Sequence, residues 1–454
     1  IDMGVMVPCD QILQKAKDED VDMIGLSGLI TPSLDEMVHV AKEMQRLEMD
    51  IPLLIGGATT SKAHTAVKID PSYENDQVIY VSDASRSVGV AAKLVSEGGK
   101  QDLINEIQAD YEKVRERRKN QGRKAKIIPI DKARARAPEL DWDEYQPTRP
   151  QFLGLKTFDH FDLNELVEYF DWSPFFQSWD MPGKYPDILE DPNKGETAQN
   201  LFNDAKNMLN WLIEENKIRC RGVIGFWPAN RVGDDIEIYE DESRKKVLTK
   251  VHHLRQQDDK APDKPMMALS DFIASKESGI PDYIGGFAVT AGPEADELAK
   301  EYEKANDDYS AIMVKILADR FAEAFAECMH QHVRKEYWGY QTDESLSTED
   351  LIKERYQGIR PAAGYPACPD HTEKPELFRL LQAEENAAMQ LTESNAMLPA
   401  AAVSGWYFAH PESKYFAVGK ISSDQVEDYA KRKGMKKSEI ERWLMPNLAY
   451  DPDE

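Results

Sequence analysis

Residues 360–371, Arg-Pro-Ala-Ala-Gly-Tyr-Pro-Ala-Cys-Pro-Asp-His, bring a permanent cation, three prolines, a glycine and an aromatic ring close together in the chain. Proline fixes φ, lacks an N–H group and pushes the preceding residue towards extended geometry, so we expect a stiff loop without helix. A loop that is confined before it binds loses less entropy on binding. Arg360 could hold a carboxylate through two parallel hydrogen bonds, Gly364 would let a ligand approach the backbone, and Tyr365 offers a ring face and a hydroxyl. The alternative is a proline-rich cover over a hydrophobic core.

Two later segments extend this pattern, residues 404–408 (Ser-Gly-Trp-Tyr-Phe) and 414–418 (Lys-Tyr-Phe-Ala-Val). Together with the loop and its continuation Thr-Glu-Lys, they resemble the C-terminal reactivation domain of the cobalamin-dependent methionine synthases. The resemblance extends over essentially the whole chain. In that family the loop lines the S-adenosylmethionine site. The resemblance therefore implies contacts with S-adenosylmethionine at Arg360, Ala362, Gly364 and Tyr365.

An acidic partner for Arg360 comes from the aromatic-rich turn 171–176 (Asp-Trp-Ser-Pro-Phe-Phe). Read from the sequence alone, Asp171 would only accept a hydrogen bond from the Ser173 amide. The resemblance implies that Asp171 receives the amino group of S-adenosylmethionine. Asp171 and Arg360 would then hold the two ends of a zwitterion.

The resemblance adds Glu323, Tyr415 and Phe416 to the same site. Glu323 lies on a predicted helix over 309–338, on a face away from the apolar stripe of that helix. Without the resemblance it would be an ordinary solvated glutamate. Tyr415 and Phe416 precede an apolar stretch that predicts a strand, so they could also be ordinary core aromatics.

The first hundred residues alternate between helical and strand patterns. Predicted strands at 22–29, 51–55 and 78–81 are separated and flanked by predicted helices at 10–20, 33–47, 61–69 and 84–95. Apolar strands that are each followed by a helix indicate a doubly wound α/β domain with a parallel sheet. Ligands of such folds lie beyond the carboxyl ends of the strands, where this chain has small or hydroxylic residues. These could form a cavity for a nucleotide-like tail, or they could be ordinary turn residues.

Residues 25–32 (Gly-Leu-Ser-Gly-Leu-Ile-Thr-Pro) and 55–60 (Ile-Gly-Gly-Ala-Thr-Thr) resemble the flavodoxin-like, Rossmann-type cobalamin-binding domain of the same family. The resemblance implies that this region surrounds the dimethylbenzimidazole tail of cobalamin. The implied contacts are Ser27, Thr31, Gly56, Gly57 and Ala84.

The family's Asp-x-His-x-x-Gly motif, whose histidine coordinates cobalt, does not occur in this sequence, and His39 and His64 lie at predicted helix positions that do not replace it. The chain begins at Ile1 in what reads as the middle of an α/β alternation. We therefore interpret it as a fragment whose first strand and cobalt ligand lie upstream. No metal ligand is predicted within the chain.

The predicted domains are 1–106 for cobalamin binding, 107–121 as a helical basic linker, and 122–454 for S-adenosylmethionine binding. The linker precedes Pro129, Pro138 and Pro147, as is typical of a crossing between domains. The third segment mixes long helices and short strands without βαβ order, which indicates an α+β reactivation domain.

Composition excludes several classes of function. The formal net charge of −26 argues against general affinity for nucleic acid or an anionic membrane. No apolar run approaches the roughly 20 residues that span a bilayer. The four cysteines lie far apart, which argues against disulfides and against a zinc or iron–sulfur site and favours a cytoplasmic location.

The resemblance implies a parent reaction in which cobalamin, as methylcobalamin, carries a methyl group from methyltetrahydrofolate to homocysteine. The homocysteine module with its zinc and the folate module would precede residue 1. This chain would serve repair: cob(II)alamin takes one electron from flavodoxin or an equivalent reductase and a methyl group from S-adenosylmethionine. Such a step needs positioning and no acid or base residue. Two alternatives are a non-catalytic corrinoid carrier or sensor with a regulatory ligand-binding domain, and a cobalamin-dependent mutase sharing only the first domain.

Overall fold

The computed structural model describes residues 1–5, 7–28, 33–57, 59–96, 99–121 and 126–452. They form two compact units, one made of Ile1–Ile127 with Met435–Glu454 and the other of Ile128–Gly434. The predicted boundary at 106 falls inside a helix that spans Gly99–Gln121. The predicted domain limits assign a function to each segment, and these assignments stay predictions. Among the described residues, no helix is both long and apolar enough to cross a membrane.

The first unit is built on a parallel sheet with strand order β1-β2-β3. Its strands are β1 Ile24–Ser27, β2 Leu53–Gly56 and β3 Val78–Tyr80. Its helices are α1 Cys9–Asp18, α2 Ser33–Arg46, α3 Lys62–His64, α4 Ala84–Leu94 and α5 Gly99–Gln121, with a π-turn at Thr65–Ile69 and a further helix at Lys437–Leu444. Leu53 and Ile55 pack into the core on one face of the sheet, and Leu54 packs on the other. The predicted α/β fold, with both faces of the sheet covered, is confirmed.

The second unit contains an antiparallel sheet of order β11-β8-β5-β6-β7, with β4 also paired to β5. The strands are β4 Gly154–Phe158, β5 Arg221–Val232, β6 Asp235–Tyr239, β7 Val247–His252, β8 Asp282–Thr290, a separate pair β9 Gln390–Leu391 and β10 Met397–Leu398, and β11 Ala402–Tyr407. Side chains of β5 alternate between two cores, Ile224 and Phe226 in one, Val223 and Trp227 in the other. Because successive strand residues point to opposite faces, this sheet is also buried on both sides.

The helices of the second unit cover this sheet. They are α6 Ile130–Arg134, α7 Leu163–Val167, α8 Ser173–Ser178, α9 Gly195–Glu214, α10 Glu294–Lys304, α11 Asp308–His332, α12 Thr348–Ile352, α13 Lys374–Leu381, α14 Ala383–Ala387 and α15 Ser423–Lys433. Helix α11 packs on one face of the sheet, and residues of α13 and α14 belong to the core on the other. The predicted α+β class of this region is confirmed.

Helix α11 positions much of the candidate site. It begins after Asp307, whose carboxylate accepts a hydrogen bond from the Ser310 amide at 3.0 Å, and it ends in a π-turn at Val333–Tyr337. The predicted inward stripe is confirmed, since all of its members are buried: Met313, Leu317, Phe321, Ala324 and Cys328. The opposite face of the helix is left available for polar side chains.

Candidate functional site

The loop at 360–371 has no helical residue before His371 and is tied to neighbouring segments through its backbone. The Trp406 amide donates to Pro361 O at 2.9 Å, and the Val418 amide donates to Pro366 O at 2.8 Å. Ile359, just before the loop, pairs with Phe408 just after β11. The predicted non-helical conformation is confirmed, and these bonds fix the loop against both later segments that share its resemblance.

The far end of the loop is anchored by a buried carboxylate. Asp370 accepts hydrogen bonds from the Thr372 amide, the Tyr429 hydroxyl and the Lys433 ammonium, each at 2.8 Å. Burial would raise the pKa of Asp370, but Lys433 and the hydrogen bonds outweigh it, so the pKa is lowered. Asp370 is therefore ionised, and it ties the loop to α15.

Gly364 is required by the loop itself. Its φ is +96°, and a Cβ atom there would lie 2.3 Å from Cε1 of His371. Its amide donates to Cys368 O at 2.7 Å. The Cβ side of Gly364 is thus occupied by the imidazole ring, and the predicted approach of a ligand to its backbone stays a prediction.

The Arg360 guanidinium is surrounded by the side chains of Glu327, Tyr356 and His330, a group of contacts that we call the nest. Its Nη2 donates to Glu327 Oε2 at 2.6 Å, and its Nη1 contacts the Tyr356 hydroxyl at 2.6 Å and His330 Nδ1 at 3.2 Å. Burial, and then the nearby Arg334 and Arg360, hold the pKa of His330 well below its usual range, so His330 is neutral and accepts through Nδ1. Within the described part of the chain, these contacts use three of the five guanidinium N–H groups, and the other two could bond a further acceptor.

The ion pair between Arg360 and Glu327 is mostly buried, with the two side chains 17% and 13% exposed. Burial alone would lower the pKa of Arg360, but the Glu327 carboxylate and the Tyr356 and Tyr415 hydroxyls raise it. Glu327 Oε1 is buried, and within the described residues it has no hydrogen-bond partner. A donor group of a ligand could satisfy that oxygen.

Two further predicted contacts are Tyr415 and Tyr365. The Tyr415 hydroxyl accepts a hydrogen bond from the Arg360 amide at 3.0 Å. Tyr365 is 65% exposed, and partial desolvation of its hydroxyl together with the nearby Glu323 carboxylate raises its pKa. Glu323 is exposed on α11, one turn before Glu327. Arg360 thus contacts Tyr415, and Tyr365 lies near Glu323, which is one helical turn from the Arg360 partner Glu327.

Ala362 and Phe416 are half-buried in the same region. The predicted strand after Tyr415 is wrong, because residues 414–418 are irregular. Their backbone groups bond elsewhere: the Val418 amide reaches Pro366, and Ala417 O accepts from Gln256 Nε2 at 2.6 Å. These contacts replace a strand ladder.

Asp171 accepts a hydrogen bond from the Ser173 amide at 2.9 Å, as the turn predicts. The preceding ring, Phe170, packs edge-on against Phe321 of α11, with centroids 4.8 Å apart. Phe321 belongs to the buried stripe of α11, so the turn that carries Asp171 lies against this helix. Among the described residues, no hydrogen bond or ion pair joins Asp171 to Arg360.

Four of the predicted cobalamin contacts, Ser27, Gly56, Gly57 and Ala84, lie at or just beyond the carboxyl ends of the strands of the first sheet. Ser27 is paired in register with Gly56, and Ser27, Gly57 and Ala84 are exposed. Gly57 has φ +105°, and a Cβ there would lie 2.4 Å from Gly28 N. Small, exposed residues at neighbouring strand ends fit a flat, bulky group resting across them. Thr31 lies outside the described residues.

Three partners of Arg360 were missed from the sequence: Glu327, His330 and Tyr356. Glu327 could have been found, because it follows Glu323 by four residues and so shares its helix face. His330 and Tyr356 reach Arg360 through tertiary packing that no spacing in the sequence signals.

Two family models match this chain: "Vitamin B12 dependent methionine synthase, activation domain" over residues 162–434, and "B12 binding domain" over residues 1–71. Among solved structures, the chain is similar to the MetH reactivation domain bound to AdoHcy. The identity is 55% and the TM-score 0.70, over 72% of this chain and 99% of that one. The activation-domain match includes both Asp171 and the Arg360 loop. The chain therefore belongs to the vitamin B12-dependent methionine synthase activation-domain family.

Proposed function

We propose that the second unit binds S-adenosylmethionine between the Arg360 loop and helix α11, and that it serves the reductive methylation of cob(II)alamin. One observation carries the proposal: the match to a reactivation domain bound to AdoHcy extends over 99% of that domain. AdoHcy is what S-adenosylmethionine becomes after it has given up its methyl group. The alternative of a non-catalytic corrinoid carrier is not favoured, because the activation-domain match spans residues 162–434.

In this proposal Arg360 holds the carboxylate of S-adenosylmethionine. The guanidinium keeps two N–H groups beyond those bonded to Glu327, Tyr356 and His330. The nest holds the planar group in one orientation, so less entropy is lost when the ligand binds. Glu327 also neutralises much of the charge that attracts the ligand, and for this reason a second anchor is needed.

The second anchor is Asp171, which would receive the ammonium group. Glu323 adds negative charge on the face of α11 that also carries Glu327, close to the exposed Tyr365. A zwitterion held at both ends has its sulfonium fixed between them, and the sulfonium is itself the activated leaving group. The residues therefore need to orient the methyl carbon, with no proton transfer.

Cobalamin, when bound, would supply the reduced cobalt that accepts the methyl group. Its dimethylbenzimidazole tail would be surrounded by Ser27, Thr31, Gly56, Gly57 and Ala84. We further propose that the chain is part of a multidomain methionine synthase of the cytoplasm, and that flavodoxin or an equivalent reductase delivers the electron. The homocysteine and folate modules, and the zinc of the homocysteine module, would lie in other parts of that protein.

Binding of S-adenosylmethionine to an Asp171→Asn variant tests the proposal. We expect calorimetry to report binding about 10- to 100-fold weaker than in the wild type, since a charged hydrogen bond is lost. Asp191→Asn is the matched control, because Asp191 makes the same kind of turn through the Asn193 amide at 2.8 Å, away from the Arg360 loop. Equal affinity of Asp171→Asn and the wild type would contradict the assignment.

A further inference from the structure

A cluster of three different potential metal ligands lies away from the Arg360 loop. The carboxylate of Glu165 on α7 and the Cys328 and His332 side chains on α11 have ligand atoms within 4.8 Å of one another. His332 Nε2 is 2.7 Å from Glu165 Oε1, and Cys328 Sγ is 3.5 Å from the same oxygen. Cys328 and His332 are four residues apart, so they project from one helix face.

The surroundings of His332 favour a cation. Its other ring nitrogen, Nδ1, lies 3.2 Å from Glu336 Oε1. Both nitrogens thus face carboxylate oxygens, whereas a neutral imidazole has only one N–H group. A metal ion on Nε2 would lie between that nitrogen and the Glu165 carboxylate, while Nδ1–H kept its hydrogen bond to Glu336. Burial, followed by the charge of Glu165, raises the pKa of the Cys328 thiol. A bound cation would offset the negative charge of both carboxylates and would stabilise the thiolate form of Cys328.

We propose that Glu165, Cys328 and His332 form a Zn²⁺ site. Thiolate, imidazole and carboxylate are the three side-chain ligands that zinc uses in proteins. With zinc bonds of about 2.0–2.3 Å, the contact between His332 and Glu165 must open by less than about 1 Å. Glu336 would hold Nδ1–H, as second carboxylates do for zinc-bound histidines. The Glu165 and His332 side chains are 38% and 22% exposed, which leaves access for the ion and a fourth ligand, water.

The ion would join two elements that the sequence separates by about 160 residues. Glu165 belongs to α7, and Cys328 directly follows Glu327, the partner of Arg360. Zinc would therefore fix α7 against the part of α11 that supports the nest. When the metal binds, the Cys328 thiol loses its proton to solvent and the thiolate bonds to the metal. The affinity for Zn²⁺ therefore rises with pH.

Co²⁺ titration of the whole chain, after treatment with a chelator, tests the site by absorbance. We expect one equivalent to bind with a thiolate-to-cobalt charge-transfer band that Zn²⁺ abolishes by displacement. Cys328→Ser should lose the band and weaken Zn²⁺ binding at least tenfold. Glu336→Gln should weaken it by about 10- to 100-fold while keeping the band. Cys9→Ser is the control, because Cys9 is a partly exposed cysteine outside the cluster.

Thermal unfolding followed by circular dichroism separates loss of the site from loss of folding. Zn²⁺ should raise the melting temperature of the wild type and of Cys9→Ser, and at the same Zn²⁺ concentration should raise that of folded Cys328→Ser much less. A missing charge-transfer band in the wild type, or a band that persists in Cys328→Ser, would overturn the proposal and leave an ordinary His332–Glu165 ion pair. Neither readout involves S-adenosylmethionine, so the outcome is independent of the proposed function.

Discussion

Some of the hydrogen-bonding groups of Arg360 are already bonded to the protein before a ligand binds. Glu327, Tyr356 and His330 hold its guanidinium from the protein side, and the Tyr415 hydroxyl accepts from its amide. A buried pair of this kind gives little net stability, yet removing one partner is costly because the other charge remains. Glu327 is therefore a positioning residue in the proposed site, whereas Glu323, four residues earlier, is exposed, as its proposed contact with a ligand requires.

The two glutamates should separate stability from binding. We expect Glu327→Gln to lower the free energy of unfolding by about 2–4 kcal/mol, because Arg360 loses its counter-charge in a mostly buried place. Glu323→Gln should change stability by less than about 0.5 kcal/mol and weaken S-adenosylmethionine binding roughly two- to fivefold. Urea unfolding and calorimetry on both variants measure this. Equal stability losses would contradict the assigned roles.

Candidate site residues were predicted from the sequence only where a recognisable motif carried them, and their contacts with a ligand stay predictions. Arg360, Gly364 and Tyr365 lie in one such motif, and in the structure Tyr415 contacts Arg360 and Glu323 lies near Tyr365. Physical reasoning from residue types alone left Glu323 an ordinary solvated glutamate. His330 was not predicted at all, because nothing in a helical sequence tells which buried histidine faces an arginine from another segment.

The proline-rich loop and helix α11 together build the site. Prolines exclude helix from the loop, backbone bonds to β11 and to residues 414–418 hold it, and Asp370 anchors its end. The periodicity of α11 predicted both its buried stripe and its polar face. The strand predicted after Tyr415 failed, because an apolar run specifies burial and does not specify which backbone partners it will have.

Gly364 gives a test of the loop. Gly364→Ala should destabilise the protein by at least about 1 kcal/mol more than Gly434→Ala, since its Cβ would meet the His371 ring. Gly434 also has a positive φ, +69°, but its Cβ would meet nothing within 4 Å, so that variant carries only the backbone strain of roughly 1–2 kcal/mol. Urea unfolding measures the difference.

Replacing His371 as well completes the comparison. In a Gly364→Ala, His371→Ala double variant, the additional loss should shrink, because the atoms that clash are gone. If the two single glycine variants are equally stable, the imidazole does not determine the need for glycine at this position.

Across the complete chain, local sequence pattern predicted the sheet of the first unit far better than that of the second. Short βαβ repeats specify a parallel sheet through neighbouring segments, so the first unit could be read directly. The second sheet pairs residues far apart in sequence, such as Gly405 with Phe287, and such pairings leave no local signal. Its α+β class was predictable, whereas its strand order was not.

Buried histidines should make the second unit sensitive to acid. Burial lowers the pKa of His253 to about 3, and that of His371 and of His410 to about 4. The unfolded chain, with histidine pKa values of about 6.5, binds protons below that pH that the folded state does not bind. Stability is therefore lost as pH falls from about 6.5 to 4. Asp282, whose pKa burial raises to about 7, works in the opposite direction.

A His253→Gln variant isolates one of these groups. His253 is 1% exposed, so between pH 6.5 and 4.5 the variant should lose about 2 kcal/mol less unfolding free energy than the wild type. Urea unfolding across this range is the measurement, with the exposed His160→Gln as control. A slope identical to that of the wild type would show that His253 does not contribute to acid sensitivity.

The proposal that Arg360 and Asp171 hold the two ends of S-adenosylmethionine is tested most directly by calorimetric titration of this ligand into Arg360→Lys. Lysine keeps a positive charge beside Glu327 but cannot offer two parallel N–H groups. Arg355→Ala is the control, because the Arg355 side chain is 61% exposed and pairs with Asp350 at 2.8 Å. We predict one bound ligand per chain for the wild type and the control, and binding at least about 100-fold weaker for Arg360→Lys. Wild-type affinity in a folded Arg360→Lys protein would contradict the proposal that Arg360 holds the carboxylate.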